Sequence, residues 1–436
     1  MAKRPVIVRP CASLKGTVRL PGDKSISHRA AICAALAEGT TRIAHFLFCD
    51  DCEATLRALR LMGARITVDP AQECVTVEAS GRLQPAKGDL DMGESGTSAR
   101  ILMGLLSAQP FAARLDGAAS LRRRPMGRVM DPLRRMGARL EARRDREGKE
   151  FLPVRVLPSS LTGIAWRQRI ASAQVKSALL LAGLFARGAT RIKEPVVSRD
   201  HTERMLKLFG AKIRRRHDTI HLEPSPLTSP GSVDVPGDFS SAAFFIVAGL
   251  LAEGSQVLIK GVNLNPTRIG LLWVLKRMGA RIRILHQQLG LEPTADLEVR
   301  SSRLSATVIE PREIATMIDE LPVLLVAAGR ARGTTVIKGA AELRVKETDR
   351  IESMRVNLSK LGVNLNVRSL SKREDLLVTG VEAFRGASFE TYGDHRTAMS
   401  LFVAGLMAQG PSRLDDAACI SKSFPRFLSA MKHLLA

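Results

Sequence analysis

Two cations and two hydroxyls stand close together in Lys24-Ser25-Ile26-Ser27-His28-Arg29, after Leu20-Pro21-Gly22-Asp23 and before the apolar run Ala30 to Ala37. A helix starting here would point its unpaired N–H groups and positive dipole end toward Lys24 and Arg29, the chemistry of anion binding. The segment is not a P-loop, because Asp23 separates Gly22 from Lys24, and no dinucleotide-type glycine fingerprint stands elsewhere. Similar segments follow. Gly93-Glu94-Ser95-Gly96-Thr97-Ser98-Ala99-Arg100, Ser172-Ala173-Gln174-Val175-Lys176-Ser177 and Gly393-Asp394-His395-Arg396 each open an apolar helix, and Asp319-Glu320-Leu321-Pro322 opens another with two carboxylates. Arg122-Arg123-Arg124-Pro125-Met126-Gly127 is a basic turn. Arg344-Val345-Lys346-Glu347-Thr348-Asp349-Arg350 alternates cations with carboxylates, and Ser421-Lys422-Ser423-Phe424-Pro425 adds a last cation. Taken singly, each is also ordinary cap or turn chemistry. Gathered at one place they would make an anion site with a few carboxylates as proton carriers.

The elements that must position them repeat. One phrase recurs at Leu59 to Ile66, Leu133 to Leu140, Leu206 to Ile213, Leu275 to Ile282 and Leu358 to Leu365, with glycines at 63, 137, 210, 279 and 362. It reads as a helix end, a glycine C-cap and the start of a strand. Between the copies lies an apolar, alanine-rich helix, a glycine and a β-branched strand, at Ala34 to Ile43, Leu179 to Ile192, Val247 to Ile259, Val326 to Ile337 and Val403 to Leu414. A degenerate copy runs from Leu102 to Leu115. Helices apolar on nearly all faces should be buried. Six units of about 73 residues account for the chain, too long a period for a common solenoid, so three units should close into each of two lobes. Leu20-Pro21-Gly22-Asp23 and Val235-Pro236-Gly237-Asp238 pair a φ-restricted proline with a permissive glycine, as a crossover would. They put residues 22–236 in one lobe and residues 1–21 with 237–436 in the other.

At 436 residues, 45% apolar and 25% charged, the chain has the composition of a soluble globular protein of two or more domains. Met1 to Pro10 is basic and broken by two prolines, unlike a signal peptide, and the longest apolar stretch, Ala242 to Ala252, is too short to span a bilayer. A cytoplasmic enzyme is expected. The formal charge of +23 is spread out and aromatics are only 4%, which fits small multi-anionic substrates better than nucleic acid. The six cysteines are scattered. Cys49 and Cys52 enclose Asp50 and Asp51, but a zinc site needs two more ligands at matching spacing, and flanking carboxylates disfavour a thiolate.

The motifs Leu20 to Arg29, Ser172 to Ser177, Arg344 to Arg350, Asp394-His395-Arg396 and Lys422-Ser423-Phe424-Pro425 stand here in an order that resembles the 5-enolpyruvylshikimate-3-phosphate synthases. Those enolpyruvyl transferases move the carboxyvinyl group of phosphoenolpyruvate to shikimate 3-phosphate in aromatic amino-acid biosynthesis. The resemblance implies an α/β fold of two lobes, each of three βαβαββ repeats with helices inside (an inside-out α/β barrel). A double crossover hinge would join the lobes, with the active site in the cleft between them. It implies no metal and no organic cofactor, two small-molecule substrates, and a monomer with no nucleic-acid or membrane partner.

Carried over by position, the resemblance assigns Lys24, Ser25 and Arg29 to shikimate 3-phosphate, together with Ser172, Ala173 and Gln174. Ser198 or Arg199 would lie near its phosphate, and Lys346 and Asp319 on its ring side. Phosphoenolpyruvate would be held by Lys24, Gly96, Arg124, Gln174, Arg350, Arg396 and Lys422. Asp319 would take the proton of the attacking 5-hydroxyl, Glu347 would handle the proton at the methylene, and Lys24 and His395 would support the charged centre. Gly96 implies inhibition by glyphosate, which is longer than phosphoenolpyruvate and is crowded by alanine there.

Three departures bear on single contacts. Glu94 stands where Asn is usual, either facing away or paired with an arginine; Ala173 replaces a serine, and Glu342 replaces an Asn of some members. Two other readings use the same architecture: a transferase acting on UDP-N-acetylglucosamine, and an RNA-end-processing enzyme. The first typically has Asn after the first lysine and a reactive Cys on a mobile loop. Here Ser25 follows Lys24, and no Cys stands between Leu115 and Met130.

Overall fold

The structure, a computed structural model, describes residues 3–370 and 373–435. Gly63, Gly137, Gly210, Gly279 and Gly362, the glycines of the recurring phrase, take φ of 90°, 103°, 85°, 97° and 90°. That left-handed conformation is costly with a Cβ, and it ends a helix by turning the chain back. The glycines follow the helices Asp50–Leu61, Gly127–Arg135, His201–Leu208, Gly270–Arg277 and Arg350–Lys360. They lead into the strands Arg65–Asp69, Arg139–Arg144, Ile213–Arg216, Arg281–Gln288 and Asn364–Leu370.

The alanine- and leucine-rich phrases form a second set of helices: Lys24–Leu36, Gly96–Ser107, Ala173–Gly183, Phe239–Leu251, Leu321–Gly329 and His395–Leu406. Every residue of Leu321–Gly329 and of His395–Leu406 is buried. A helix without a polar face is stable only when surrounded, and each buried leucine then contributes about 1.5–3 kcal/mol. Small residues let these helices approach closely. A Cβ on Gly104 would lie 2.1 Å from the carbonyl oxygen of Ala178 on the neighbouring inner helix.

Among the described residues six sheets are built on one plan. An edge strand runs parallel to a second strand, which pairs antiparallel with a hairpin. Thus Leu90–Asp91 lies parallel to Ala113–Asp116 (Leu90 beside Leu115), and Ala113–Asp116 is antiparallel to Glu150–Leu157, itself antiparallel to Arg139–Arg144. In four of the six the edge strand precedes the inner helix and the second strand follows it, a βαβ crossover. The last repeat is shorter than the sequence period implies. It supplies only Ser388–Phe389 and Ser412–Leu414, and Val6–Val8 takes the antiparallel place beside Ser412–Leu414.

The chain divides into two compact units. The middle unit is Gly22–Val235, and the terminal unit joins the described residues up to Pro21 to those from Pro236 onward. Three sheets belong to each. At the two boundaries the βαβ plan is exchanged between units. Lys15–Arg19 lies parallel to Gln256–Asn263 in the terminal unit, while the helix that follows it, Lys24–Leu36, belongs to the middle one. Ser232–Asp234 lies parallel to Ala37–Ala44 in the middle unit, and its following helix, Phe239–Leu251, belongs to the terminal one. Gly22 has no alternative at its crossing, because a Cβ there would lie 1.9 Å from the carbonyl oxygen of His45.

Candidate active site

In the middle unit the predicted segments are helix N-termini. Asp23, Ser95 and Ser172 are the N-caps, accepting from the backbone N–H groups of Ile26 (3.0 Å), Ser98 (3.2 Å) and Val175 (3.4 Å). These bonds satisfy one N–H each and leave others of the first turn open. Lys24 donates to Asp51 Oδ2 at 2.9 Å. Asp51 belongs to the Cys49–Cys52 segment, which opens Asp50–Leu61. Burial, and then Cys49, push the Cys52 thiol well above its usual value. A buried polar chain, His28 Nδ1 to Thr55 Oγ1 (2.8 Å) to Ser98 Oγ (2.7 Å) to Ser95 Oγ (2.7 Å), ties the helices Lys24–Leu36, Asp50–Leu61 and Gly96–Ser107 together. Burial drives the His28 imidazole well below its ordinary pKa, with Lys24 and Arg29 adding to the effect, so His28 is neutral there.

Gly96, Arg124 and Gln174 come together. A Cβ on Gly96 would lie 2.8 Å from an Arg100 Nη1 and 3.0 Å from an Arg124 Nη1. Arg100 Nη1 donates to Gln174 Oε1 (3.0 Å), and Gln174 Nε2 donates to Thr97 Oγ1 (3.1 Å), which fixes the amide. Of the arginine triplet, Arg122 is bound by Asp116 at 2.8 and 2.7 Å, while Arg124 is buried beside Gly96. Glu94 accepts from Ser120 Oγ at 3.0 Å. Ala173 is the first residue of its helix and offers only backbone. Arg29 donates to the Ser25 carbonyl oxygen (2.8 Å), Thr202 Oγ1 (2.7 Å) and Ser177 Oγ (2.8 Å). The Ser198 hydroxyl and backbone N–H both donate to Glu194 Oε1, and Arg199 follows it in the loop before His201–Leu208.

In the terminal unit the predicted residues gather on Arg350. Its guanidinium, 1% exposed, donates from Nε to Asp394 Oδ2 (2.8 Å), from Nη1 to Asp319 Oδ1 (3.3 Å) and from Nη2 to Glu347 Oε2 (2.5 Å). Burial alone would lower its pKa, but Asp394, Glu347 and Asp319 more than offset that and raise it, so Arg350 stays charged. Burial pulls the Lys346 ammonium below its usual range against the opposing carboxylates of Glu342, Asp319 and Glu347. Asp394 also caps His395–Leu406, accepting from the Arg396 N–H at 2.8 Å, which puts His395 and Arg396 in its first turn. Lys422 donates to the Gly393 carbonyl oxygen at 2.9 Å. Arg344 lies outside this group, bound to Asp349 and Glu374.

Each unit thus presents helix starts with fixed cations, and the terminal unit adds three carboxylates on one guanidinium. Over residues 8–431 the sequence matches the family described as EPSP synthase (3-phosphoshikimate 1-carboxyvinyltransferase). The chain belongs to the EPSP synthase family. It is 45% identical over 433 residues to the 3-phosphoshikimate 1-carboxyvinyltransferase of Desulforamulus reducens, covering 99% of both chains. The EPSP synthase of Acinetobacter baumannii superposes with a TM-score of 0.85 at 39% identity, over 99% of this chain and 98% of that one. The enolpyruvyl transferase NikO from Streptomyces tendae shares the fold at TM-score 0.78 and 20% identity, with 99% and 98% covered.

For this family member, reasoning from sequence missed Asp51, the partner of Lys24, and the bridging role of Arg100. It also missed Asp394 as the shared anchor of Arg350 and the His395 helix. Asp394 carried a signal: an aspartate directly before an apolar helix is an N-cap. Asp51 and Arg100 carried none, because their partners are set by packing between separate helices.

Proposed function

We propose that this chain transfers the carboxyvinyl group of phosphoenolpyruvate to the 5-hydroxyl of shikimate 3-phosphate and releases phosphate. The observation that carries this reading is the Arg350 cluster, which holds Asp319 and Glu347 side by side on one buried cation. The C2 of phosphoenolpyruvate is a weak electrophile, so protonation of its methylene must accompany attack by the hydroxyl. Asp319 takes the hydroxyl proton, and Glu347 gives a proton to C3 as the new C–O bond forms at C2. The tetrahedral intermediate then breaks its bond to phosphate and returns a proton from C3 to Glu347, restoring the double bond. Lys24, Arg124, Arg350, Arg396 and Lys422 stabilise the anionic groups, with His395 beside them. Shikimate 3-phosphate is held by Lys24, Ser25, Arg29, Ser172, Ala173 and Gln174, with Ser198 or Arg199 near its phosphate and Lys346 and Asp319 on its ring side.

We infer further that the enzyme works as a cytoplasmic monomer, with no cofactor and no nucleic-acid or membrane partner. The spread of its basic residues and its 4% aromatic content support the last point, and among the described residues no helix is long and apolar enough to cross a membrane. The test is phosphate release from phosphoenolpyruvate with shikimate 3-phosphate, with UDP-N-acetylglucosamine, or with neither. Release is expected with the first alone, and Asp319→Ala and Glu347→Ala should each lose at least about a hundredfold in kcat while still binding shikimate 3-phosphate. Near-normal turnover in Asp319→Ala would remove it from the mechanism.

A further inference from the structure

The run Arg214-Arg215-Arg216 holds none of the residues assigned to the transfer reaction, and the structure divides it. Arg215 turns inward and donates to Glu194 Oε2 at 2.7 Å, beside Lys176 at 3.1 Å on the same oxygen. Arg214 and Arg216 are exposed. They stand on the outer face of the sheet whose strand order is Ala165–Arg167, Thr190–Lys193, Thr219–Leu222 and Ile213–Arg216. Two rungs of residues cross that face. Ala165, Arg191, His221 and Arg214 lie opposite one another in turn, and so do Arg167, Lys193, Thr219 and Arg216. Ile192, Ile220 and Leu222, which alternate with them along the strands, are buried. Five of the eight rung positions are thus exposed cations, scattered in the sequence and collected by strand pairing.

Lys193 pairs with Asp218 in the adjoining turn at 3.1 Å. Among the described residues the side chains of Arg167, Arg191, Arg214 and Arg216 have no hydrogen bond or ion pair. Other sheets balance their cations. In the terminal unit, the strand Thr294–Arg300 sets Glu298 against Arg283 (3.3 Å) and Arg300 (3.0 Å), and Asp296 against His286 (3.0 Å). In the middle unit Glu141 faces Arg155 at 3.6 Å, and Glu78 lies opposite Arg65. Like charges on neighbouring strands repel and cost stability, so a face of cations alone calls for an anion from outside. Neighbouring strands lie about 4.8 Å apart and alternate residues about 6.8 Å apart, so the cations span roughly 14 by 7 Å. A metabolite with one phosphate and one carboxylate meets only part of that area. An extended peptide repeats its same-side carboxylates at about 6.8 Å, the step from Arg191 to Lys193 and from Arg214 to Arg216. The rungs hold no Phe, Tyr or Trp on which bases could stack and no large apolar side chain to enter a bilayer. Those absences favour an acidic polypeptide.

We propose that this sheet face docks an acidic, extended segment of another protein, with its carboxylates on the two rungs of cations. The test uses the full-length enzyme with a short fluorescent poly-glutamate peptide, a single-stranded oligonucleotide of equal charge, and vesicles containing anionic lipid. Wild type should bind the peptide most tightly of the three, with affinity falling as salt is added. Arg191→Glu combined with Arg214→Glu should weaken the peptide at least about tenfold. Lys15→Glu combined with Arg281→Glu makes the same charge change at exposed positions of another sheet and should cost less than about threefold. Both double variants should keep kcat and KM within about twofold of wild type, since neither touches the transfer site. The proposal is overturned if wild type does not bind the peptide, or if both double variants lose it equally, which would be attraction to net charge alone. Tighter binding of the oligonucleotide or the vesicles also overturns it. So does a variant at Arg191 and Arg214 that still binds the peptide but loses kcat/KM for the anionic substrates, because the face would then steer substrate. Should that variant fail to fold, Arg191→Gln with Arg214→Gln, against Lys15→Gln with Arg281→Gln, removes the cations without adding anions and decides in the same way. The binding measurements do not depend on the function proposed above.

Discussion

Lys24–Leu36 and Phe239–Leu251 both follow Pro-Gly-Asp, and both take that aspartate as N-cap. Both are swapped out of the βαβ unit that their preceding strand begins. After the cap they part. Lys24 stands first in one helix, with a partly exposed ammonium paired to Asp51. Phe239 stands first in the other and is fully buried. There Asp238 is held by Arg268 at 3.0 Å, Arg268 also donates to Ser240 Oγ at 2.8 Å, and the Ser240 hydroxyl donates to Glu320. All four of these side chains are buried. A helix start carries positive potential wherever the fold repeats it. The terminal unit consumes that potential internally at Phe239, whereas the middle unit leaves Lys24 where an anion can compete for it.

The strongest way to break this contrast is to remove the cation from each start. Lys24→Ala should lower kcat/KM about a thousandfold while changing stability by less than about 1 kcal/mol, since its ion pair is partly solvated. Arg268→Met should do the reverse, costing about 3–5 kcal/mol by removing the buried cation that faces Asp238 and Glu320. The folded fraction should keep turnover within a few-fold of wild type. Urea titrations beside steady-state kinetics separate the two, and a Lys24→Ala protein as destabilised as Arg268→Met would end the distinction. Asp51→Asn sharpens it at smaller scale. Freed of its counter-ion, Lys24 should bind phosphoenolpyruvate about threefold more tightly at low salt, with a steeper loss as salt is added. Weaker binding would show instead that Asp51 serves to aim Lys24.

The smallest effect on substrate is expected at Gly96. An added methyl would press on the guanidinium ends of Arg100 and Arg124, at 2.8 and 3.0 Å, which can each yield by a few tenths of an ångström, and would make an ordinary contact with Leu121 at 3.6 Å. Gly96→Ala should change the KM for phosphoenolpyruvate by no more than about threefold and raise the inhibition constant of glyphosate by much more, through steric exclusion of the longer ligand. Equal shifts in the two constants would refute exclusion.

The five glycines of the recurring phrase, the apolar helices and the proline-glycine crossings are legible in sequence because each is a local requirement. A positive φ is met by the residue that has no Cβ, a helix with no polar face must be surrounded, and a cap must directly precede its helix. These also mark Lys24, Gly96, Gln174, Asp319 and His395 as standing at or beside helix starts. Resemblance, not physics, then gave them their roles. The two crossings assign the N-terminal strand to the lobe of the C-terminal half; that Val6–Val8 stands in place of a hairpin of the last repeat's own came only from the strand pairing.

Local sequence determined where helices begin and end, which of them are buried, and which residue types crowd their first turns. Only the tertiary structure decided the partners: Asp51 for Lys24, Asp394 for Arg350, Arg268 for Asp238, and Glu194 for both Lys176 and Ser198. A charged side chain shows its type in the sequence but not its neighbours. Whether it binds a ligand or its own protein depends on which opposite charge the packed helices and sheets bring within about 3 Å.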